Sequence, residues 1–470
     1  MKKLLLFAFL FAVALLPACG TVQPPAESRT EVIWLVRQDA NEQQWQAGVI
    51  SDFESKFPEI TIRLEVVAPE NFDNRMQVMA AAGTPPDVFS PAGTLGFLDI
   101  VTRDLAADLT PFIERDAFDL ADFVPPALSA VTVDGRVYGL PVQIAGTYVF
   151  YNMDLFDQAG VAYPPANWDA AFWNYEAFLE KCAALTSISG RDPGVYGCNL
   201  DLHPADAVAW MWGQDLYPEE AYQTGFADTA FLDQPAVIDA FQARQDIVWK
   251  LGYMPDPEEA EMLGGGDLFA AQKVAMQLSG GWGWQAYRDL RDFRWGVAAL
   301  PYTTEGRRAV LFTEAWTLYS KSKHPEEGWT FLKYLSEAPQ QRSWMAATGA
   351  PPARISLGAE WFAMFPSMEP ANVERVHLGA LARGRESPEN RLVRFDLLDA
   401  AVSEAVVPVI RNEKDAADTL PEANPRLIQA LKQIRAEYQK PPTPTPTPTA
   451  SPTPEPSAAP TETETAIPQP

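Results

Sequence analysis

The fold class that the sequence predicts is α/β, with a parallel sheet near the start of the chain and more than one packed unit overall. The segment from residue 32 to residue 89 alternates strand-like and helix-like patterns in the order βαβαβ, which implies right-handed crossovers and parallel strands. The chain has 470 residues, of which 47% are hydrophobic. A chain of that length usually divides its core between two or more units.

Three strand-like runs and two helix-like runs make up this first segment. The strands are predicted over residues 32–36, 60–66 and 87–89. Their apolar residues run continuously, as in a strand covered on both faces, or alternate. The first helix is predicted to begin near Asn41, because Asn41 and Gln44 have the spacing of a capping box. Pro58 ends this helix, and Gly83 ends the second one.

Two loops of this segment are the first candidates for a ligand site, because ligands of open parallel sheets bind beyond the carboxyl ends of the strands. The first loop contains Arg37, Gln38 and Asp39, whose side chains can donate or accept hydrogen bonds. The second loop runs from Ser90 to Gly93. For Asp39 the alternative is that it only caps the following helix.

Helical periodicity resumes further along the chain, with short strand-like pieces between the helices. The helical stretches are 173–185, 236–251, 325–335 and 427–438, and the strand-like pieces are 274–278 and 295–298. These elements are sufficient for a second α/β unit. From Pro441 the composition changes to alternating Pro and Thr, so residues 439–470 are predicted to form an extended, disordered tail.

The first residues have the features of a signal for export. A charged start at Met1–Lys3 precedes an apolar run over 4–16, which is too short to span a bilayer comfortably. Residues 1–18 are therefore predicted to be a signal peptide.

The end of this signal, Leu16-Pro17-Ala18-Cys19-Gly20, resembles the lipobox at which bacterial lipoproteins are cut before a cysteine that is then acylated. Residues 19–30 are accordingly predicted to be a linker that lipid on Cys19 anchors to the membrane. We expect the protein to be extracytoplasmic. The alternative is an ordinary secretory signal with an incidental cysteine.

The composition excludes several kinds of partner and site. A formal net charge of -26 argues against nucleic acid, because phosphate binding requires basic patches. The histidines His203, His324 and His377 do not have the spacing of zinc ligands. Neither a phosphate loop nor a nucleophile elbow is present. We therefore expect no metal, no cofactor and no enzymatic activity.

Two cysteines remain beside Cys19, namely Cys182 and Cys198. Outside the cytoplasm they can form a disulfide, which would contribute about 3 kcal/mol for a loop of this length. The alternative, that both are reduced and buried, stays open.

Three segments of the chain carry a resemblance to a known family. They are AAAGTPPDVF at 80–89, the pair YGLP at 138–141 and FYNMDLF at 150–156, and a stretch from Glu314 to Leu335 that contains EAW and HPEEGW. In this order and spacing they resemble family 1 extracellular solute-binding proteins, the maltose-binding-like group of ABC importers. The resemblance spans roughly residues 31 to 438.

This resemblance implies a two-lobed periplasmic-binding-protein-like fold of type II, with a solute cleft between lobes that are joined by crossing hinge segments. Lobe I would comprise 31–142 and 313–348, and lobe II would comprise 143–312 and 349–438. The family delivers captured solute to ABC permease subunits, and we expect a monomer.

The resemblance also suggests ligand contacts near the crossings. Gln143 follows the first crossing, while Glu314 and Trp316 belong to the return crossing. Arg354, at the third crossing, would bind a hydroxyl pair or a carboxylate, or alternatively form a salt bridge in the hinge.

Aromatic residues supply further candidates. Trp282 and Trp284 are flanked by glycines on a predicted loop after Leu278, where relatives place a ring that stacks on the ligand. Trp212 lies in the region of least resemblance and is another candidate.

Sugars are the expected solute, because their apolar faces stack on rings and their hydroxyls need polar partners. The 14 tryptophans offer such rings. The alternatives are a polyamine, which would use an acidic cleft, a secreted glycoside hydrolase, and a lipoprotein that binds no small ligand.

Overall fold

A computed structural model describes residues 29–39, 42–91, 96–186, 194–200, 202–264, 266–303 and 307–438. Several predicted features lie outside these described residues, namely the signal peptide, Cys19, the cap residue Asn41, Gly93 and the tail over 439–470.

The strands are β1 (Thr30–Arg37), β2 (Ile60–Val67), β3 (Val88–Phe89), β4 (Thr132–Val133), β5 (Arg136–Val137), β6 (Leu140–Ala145), β7 (Tyr148–Asn152), β8 (Asn199–Leu200), β9 (Met276–Ser279), β10 (Trp295–Ala298), β11 (Ala309–Leu318) and β12 (Gly384–Glu386).

The helices are α1 (Gln43–Lys56), α2 (Phe72–Ala81), α3 (Phe97–Thr102), α4 (Thr110–Asp116), α5 (Pro125–Ala130), α6 (Met153–Ala159), α7 (Tyr175–Thr186), α8 (Asp206–Met211), α9 (Ala221–Thr224), α10 (Pro235–Trp249), α11 (Pro257–Met262), α12 (Trp282–Tyr287), α13 (Pro325–Leu335), α14 (Ala338–Thr348), α15 (Gly358–Phe362), α16 (Pro370–Arg383), α17 (Pro388–Arg391), α18 (Phe395–Ile410) and α19 (Ala416–Tyr438).

The first sheet has the strand order β12-β11-β3-β1-β2, and β6 pairs with β11. Strand β1 is parallel to both β2 and β3, so the predicted parallel βαβαβ arrangement is confirmed. Trp34 lies in the core cluster on one face of β1, and Leu35 lies in the cluster on the other face. The continuous apolar run therefore reflects a strand that is covered on both sides.

The second sheet has the order β10-β7-β9-β8. Strand β7 is antiparallel to β10 and β9, while β8 is parallel to β9. A separate core cluster surrounds this sheet and includes buried residues of α7, α10, α18 and α19. The mixed α/β class predicted for the rest of the chain is thus confirmed as well.

Each sheet is the centre of one lobe. The core of lobe I comes mainly from residues between 32 and 142 and between 315 and 350. The core of lobe II comes mainly from residues between 148 and 310 and between 357 and 434. The two lobes therefore interleave along the sequence.

Strand β11 connects the lobes physically. Residues 309–311 pair with β12, residues 312–316 pair with β6, and the last two residues pair with β3. Val310 belongs to the lobe II core and Trp316 to the lobe I core. Together, β6 and β11 form the crossing strands on which the lobes meet.

Cys182 and Cys198 are free and buried in lobe II. Burial, together with the neighbouring Cys198 side chain, raises the pKa of the Cys182 thiol. The Cys198 thiol donates to the carbonyl oxygen of Tyr253 at 3.8 Å. Both therefore behave as small core residues here.

No helix of the described residues is long and apolar enough to cross a membrane.

Candidate ligand cleft

A cavity of about 350 Å³ lies between the two lobes, beside the crossing strands. We call it the cleft cavity. Lobe I lines it with Arg37 and Asp39, and the crossing strands line it with Gln143, Ala145, Phe312, Thr313 and Glu314. Lobe II and α17 contribute His203, Gly281, Trp282, Gln285, Glu389 and Asn390. Its volume falls within the range of about 300–1,000 Å³ that small-molecule pockets occupy.

An ion pair joins lobe I to the return crossing strand at the cleft cavity. Arg37 is the last residue of β1 and lines the cavity, and its Nη2 donates to Oε1 of Glu314 at 2.7 Å. The attraction of Glu314 raises the pKa of the Arg37 guanidinium. The pair holds a cation and an acceptor side by side, where a ligand hydroxyl can bind either one.

Glu42 is a buried carboxyl close to this ion pair. Its side chain accepts a hydrogen bond from Nε2 of Gln46 at 3.3 Å, and the residue is only 6% exposed. Burial, and after it the charge of Glu314, raise the pKa of Glu42 to about 8. Glu42 is therefore protonated at neutral pH, which limits the negative charge near the cleft cavity.

The raised pKa of Glu42 makes stability depend on pH. The folded state keeps a proton that the unfolded state releases above its ordinary pKa of 4.5, so this group lowers stability as pH rises from about 4.5 to about 8. We expect Glu42→Gln to remove that loss, which amounts to a few kcal/mol at most.

Urea unfolding at pH 5 and pH 9 measures this effect. The wild type and the control Glu59→Gln, which changes an exposed glutamate, should lose more stability between the two pH values than Glu42→Gln. Equal losses in all three proteins would contradict the assignment.

Gln143 faces the cleft cavity because of the alternation along β6. Gln143 and Ala145 line the cavity, whereas Ile144 packs on the opposite side against Leu311. Side chains of a strand point alternately to its two faces. From lobe II, Nε2 of Gln285 donates to Oε1 of Gln143 at 3.3 Å, so this amide pair links a crossing strand to α12.

Trp282 and Trp284 have opposite positions because they lie on a helix, whereas the sequence predicts a loop. Residues two apart on an α-helix point about 200° away from each other. Trp282 is 40% exposed and lines the cleft cavity, and its ring contacts that of Phe312 at 5.2 Å and 64°. Trp284 is fully buried against Trp361 and Phe365. The interpretation of Trp284 as a stacking ring is therefore wrong.

Glycines allow Trp282 to sit so close to the crossing strands. A side chain at Gly281 would collide with Cβ of Ala145 on β6. A side chain at Gly280 would collide with the indole ring of Trp282. Both positions require glycine, because only a residue without a Cβ lets the backbone and the ring approach each other so closely. The Gly-Gly pair thus positions α12 against the wall of the cleft cavity.

A hydrogen-bonded group fixes the floor of the cleft cavity around Thr313. The Thr313 hydroxyl donates to Oε2 of Glu386 at 2.7 Å. The Asn390 amide donates to Oε1 of Glu386 at 2.7 Å and to the Thr313 carbonyl at 3.1 Å. Burial raises the pKa of Glu386, and these donors compensate its desolvation.

Two predicted contacts from the strand-end loops do not line the cleft cavity. Gln38 is exposed beside it, and Ser90 is partly buried at the end of β3.

Three further predicted ligand contacts, Trp212, Trp316 and Arg354, do not line the cleft cavity. The two tryptophans are core residues. Trp316 is 4% exposed and packs on Trp34 at 5.2 Å in lobe I. Trp212 is 9% exposed and packs edge-on against Tyr175 at 4.8 Å. Both are large rings that fill the interior, which is the commoner use of an aromatic residue.

Arg354 is a hinge residue instead of a ligand contact. Its Nη1 donates to Oδ2 of Asp122 at 2.9 Å, and its Nε donates to the Ser336 carbonyl at 2.9 Å. The side chain is largely buried and lies outside the cleft cavity. The structure therefore contains the salt bridge in the hinge, here with Asp122, that was the alternative interpretation of Arg354.

Several residues of the cleft cavity are missing from the sequence-based predictions. They are Ala145, His203, Gly281, Gln285, Phe312, Thr313, Glu389 and Asn390. Phe312 and Thr313 precede the predicted Glu314, so strand alternation around the return crossing could have identified them. Nothing in the local sequence of Glu389 or Asn390 indicates a site, since they reach it through a long-range fold contact.

Comparison with known proteins agrees with this architecture. Residues 48–370 match the profile of the family described as bacterial extracellular solute-binding protein. A protein of Brucella abortus (strain 2308) named as a binding protein is 26% identical over 302 residues, which is 63% of this chain and 68% of that protein. The maltodextrin-binding protein MdxE of Bacillus subtilis (strain 168) is 22% identical over 366 residues, covering 76% of this chain and 81% of that protein.

A solved structure shows the same fold. The ABC substrate-binding protein Lmo0181 from Listeria monocytogenes, in complex with cycloalternan, superposes with a TM-score of 0.72 at 20% identity. The superposition covers 86% of this chain and 99% of that one. The fold is thus the two-lobed type II arrangement that the resemblance implied. The family match extends over more than half of the sequence, and the chain belongs to the family of bacterial extracellular solute-binding proteins.

Proposed function

We propose that this solute-binding protein captures a sugar or oligosaccharide in the cleft cavity and delivers it to the permease of an ABC transporter. The observation that carries the proposal is the pairing of an exposed indole, Trp282, with hydrogen-bonding groups from both lobes around one cavity. A sugar offers an apolar face for the ring and hydroxyls for the polar groups.

The polar groups of the cleft cavity suit hydroxyls well. Arg37 is a pure donor, Glu314 is a pure acceptor, and Gln143 and Asn390 have amides that do both. Because Arg37 compensates the charge of Glu314 at 2.7 Å, this part of the cavity favours a neutral ligand over a polyamine. The names of two similar proteins also refer to glucan ligands, maltodextrin and cycloalternan.

Binding would act through the hinge. The cavity is lined from both lobes and from the crossing strands, so a ligand in contact with both walls stabilises the closed arrangement over an open one. A ligand that favours the closed form by about 10⁴-fold converts a 1:99 mixture into 99:1. The closed monomer then presents both lobes to the permease.

We also propose that the lobes divide at the boundaries predicted from sequence, with 31–142 and 313–348 in lobe I and 143–312 and 349–438 in lobe II. The distribution of core residues between the two sheets supports this division. Small-angle scattering should show a more compact particle with ligand than without it, and an unchanged curve would count against hinge closure.

The family is extracellular, so the location is extracytoplasmic, and we propose that lipid on Cys19 anchors the chain to the membrane. Each buried methylene of an acyl chain contributes about 0.8 kcal/mol. We expect Cys19→Ala to move the expressed protein from the membrane fraction to the soluble fraction. The same change at Cys182 should leave the protein in the membrane fraction, and no redistribution of Cys19→Ala would contradict the anchor.

A thermal-shift screen of the purified protein tests the proposed function. Monosaccharides, maltose and maltotriose, galactobiose, mannobiose and arabinobiose should be compared with putrescine and spermidine. We expect the melting temperature to rise with at least one sugar. A rise with the polyamines alone would overturn the sugar assignment. Members of this family are binding proteins, so oligosaccharides should be recovered unhydrolysed, and turnover would indicate a glycoside hydrolase instead.

A further inference from the structure

Cys182 and Cys198 lie next to each other in the interior of lobe II, away from the residues that line the cleft cavity. Cys182 is on α7, and Cys198 directly precedes β8. Both side chains are completely buried, and the Cys182 thiol is hydrogen-bonded to the Cys198 side chain. The two sulfur atoms are therefore neighbours, although they come from different elements of the fold.

Contacts of the main chain bring these two cysteines together. The Thr186 hydroxyl, one turn after Cys182 on α7, donates to the Cys182 carbonyl oxygen at 2.7 Å. The same hydroxyl accepts a hydrogen bond from the Gly197 backbone N–H at 2.8 Å. A Cβ added at Gly197 would lie 1.9 Å from the Cys182 carbonyl oxygen, so only glycine lets this segment approach α7 so closely. The glycine before Cys198 thus places that cysteine against the helix.

The rest of lobe II holds Cys198 from its other side. Its backbone N–H donates to the Tyr253 carbonyl oxygen at 3.1 Å, and its thiol donates to the same oxygen at 3.8 Å. The next two residues, Asn199 and Leu200, pair with β9, and β8 is the last strand in the order of the second sheet. A covalent bond between the cysteines would therefore connect the terminal strand of this sheet to α7.

Two thiols in contact either stay reduced or become oxidised, and the compartment decides between these states. The family is extracellular, and disulfides form and persist outside the cytoplasm. The chain has three cysteines, and the third, Cys19, is the proposed site of the lipid. Cys182 and Cys198 are thus left with each other as the partner within the chain.

We propose that Cys182 and Cys198 form a disulfide bond in the exported protein. Two S–H bonds break and one S–S bond forms, and the two protons and two electrons pass to a disulfide oxidant of the extracytoplasmic space, which is reduced to two thiols. The structure contains the pair in its reduced form. This inference goes beyond the proposed function and does not depend on it.

Burial determines when the bond can form. The thiolate is the species that attacks a disulfide, and burial raises the pKa of the Cys182 thiol, so the folded, reduced pair reacts slowly. We therefore expect oxidation while the chain is still folding, and we expect the completed bond to resist reductants until lobe II unfolds. Because the bond closes a loop over residues 182–198 and so constrains the unfolded chain, the oxidised protein should melt about 5–10 °C higher than the reduced protein.

Alkylation of the exported protein tests the bond. The full chain is exported by a bacterial host, purified in detergent without reductant, unfolded in guanidinium chloride and treated with N-ethylmaleimide. We expect mass spectrometry of the digest to recover Cys182 and Cys198 in one linked pair of peptides without the label. Both cysteines should carry the label when dithiothreitol is added before it. Labelling of both cysteines in the sample without reductant would overturn the proposal.

The matched variants are Cys182→Ala and Cys198→Ala, each of which leaves one thiol of the pair. Either variant should be labelled at its remaining cysteine without reductant, and a remaining cysteine that stays unlabelled would show that it pairs with something other than its neighbour. Because labelling takes place in guanidinium chloride, the result does not depend on whether the variants fold.

Thermal melting is the second measurement. Wild-type protein that is reduced in urea and refolded with dithiothreitol should melt about 5–10 °C lower than the oxidised protein, whereas the double variant should melt at one temperature under both conditions. Equal melting temperatures of oxidised and reduced wild type would contradict the connection of β8 to α7. Neither measurement uses a ligand, so failure of the disulfide leaves the proposed function intact.

Discussion

Trp282→Ala is expected to weaken sugar binding by about 100-fold and to change the stability of the free protein little. The indole is the large ring of the cleft cavity that keeps 40% of its surface exposed. Stacking on a sugar face buries that surface and adds a ring interaction, together worth about 2–4 kcal/mol. A loss of about 1.4 kcal/mol corresponds to each tenfold change in affinity.

The control for this prediction is Trp249→Ala. Trp249 is also 40% exposed, but it lies on α10, where its indole donates to the Ile410 carbonyl at 2.9 Å. Isothermal titration should give Trp249→Ala the wild-type affinity. If Trp282→Ala binds as tightly as the wild type, the ligand does not stack on this ring and the cleft cavity is not its site.

Trp284→Ala should have the reverse effect, with a loss of about 3–5 kcal/mol in the free energy of unfolding. The ring is fully buried and contacts Phe365 at 4.7 Å, Trp361 at 4.9 Å and Tyr148 at 5.5 Å. Its removal leaves a cavity among aromatic side chains that cannot easily close. Urea unfolding of the variant measures the loss.

Trp284→Phe is a second, more conservative variant. Its smaller ring retains part of the packing, so this variant should lose less of the free energy of unfolding than Trp284→Ala. Whatever fraction of either variant remains folded should bind sugar with nearly wild-type affinity. A variant that keeps full stability but binds no sugar would indicate that Trp284 contacts the ligand, and it would contradict the packing described above.

The contrast between Trp282 and Trp284 shows what could be predicted from sequence. The burial of β1 and the parallel order of the first three strands follow from local apolar patterns, and these are confirmed. Because ligands bind beyond the ends of such strands, Arg37 and Asp39 were reachable by the same reasoning, and both line the cleft cavity.

Side-chain direction was harder to predict where the backbone state was misjudged. The glycines before Trp282 suggest a loop, but their role is to let a short helix approach Ala145 closely. That contact is between residues far apart in sequence, so no local pattern contains it. Once α12 is a helix, helical geometry alone separates an exposed ring from a buried one.

Polar residues of the hinge were misjudged for a related reason. Arg354 has the chemistry of a ligand contact, yet Asp122 and the Ser336 carbonyl satisfy it within the fold. Conversely, Glu389 gives no local signal, and it lines the cleft cavity from α17, which packs on α3. Which charged group is compensated depends on tertiary contacts, which spacing along the chain does not determine.

The path of β11 through both lobes has a consequence for the order of events during folding. Trp316, Phe331 and Trp344 complete the core of lobe I, although the rest of that core is translated some 170 residues earlier. Lobe II waits in turn for Ile434 on the last helix. Neither hydrophobic interior can be completed before these late segments are available, so each lobe depends on contacts between residues far apart in the chain, which slow folding.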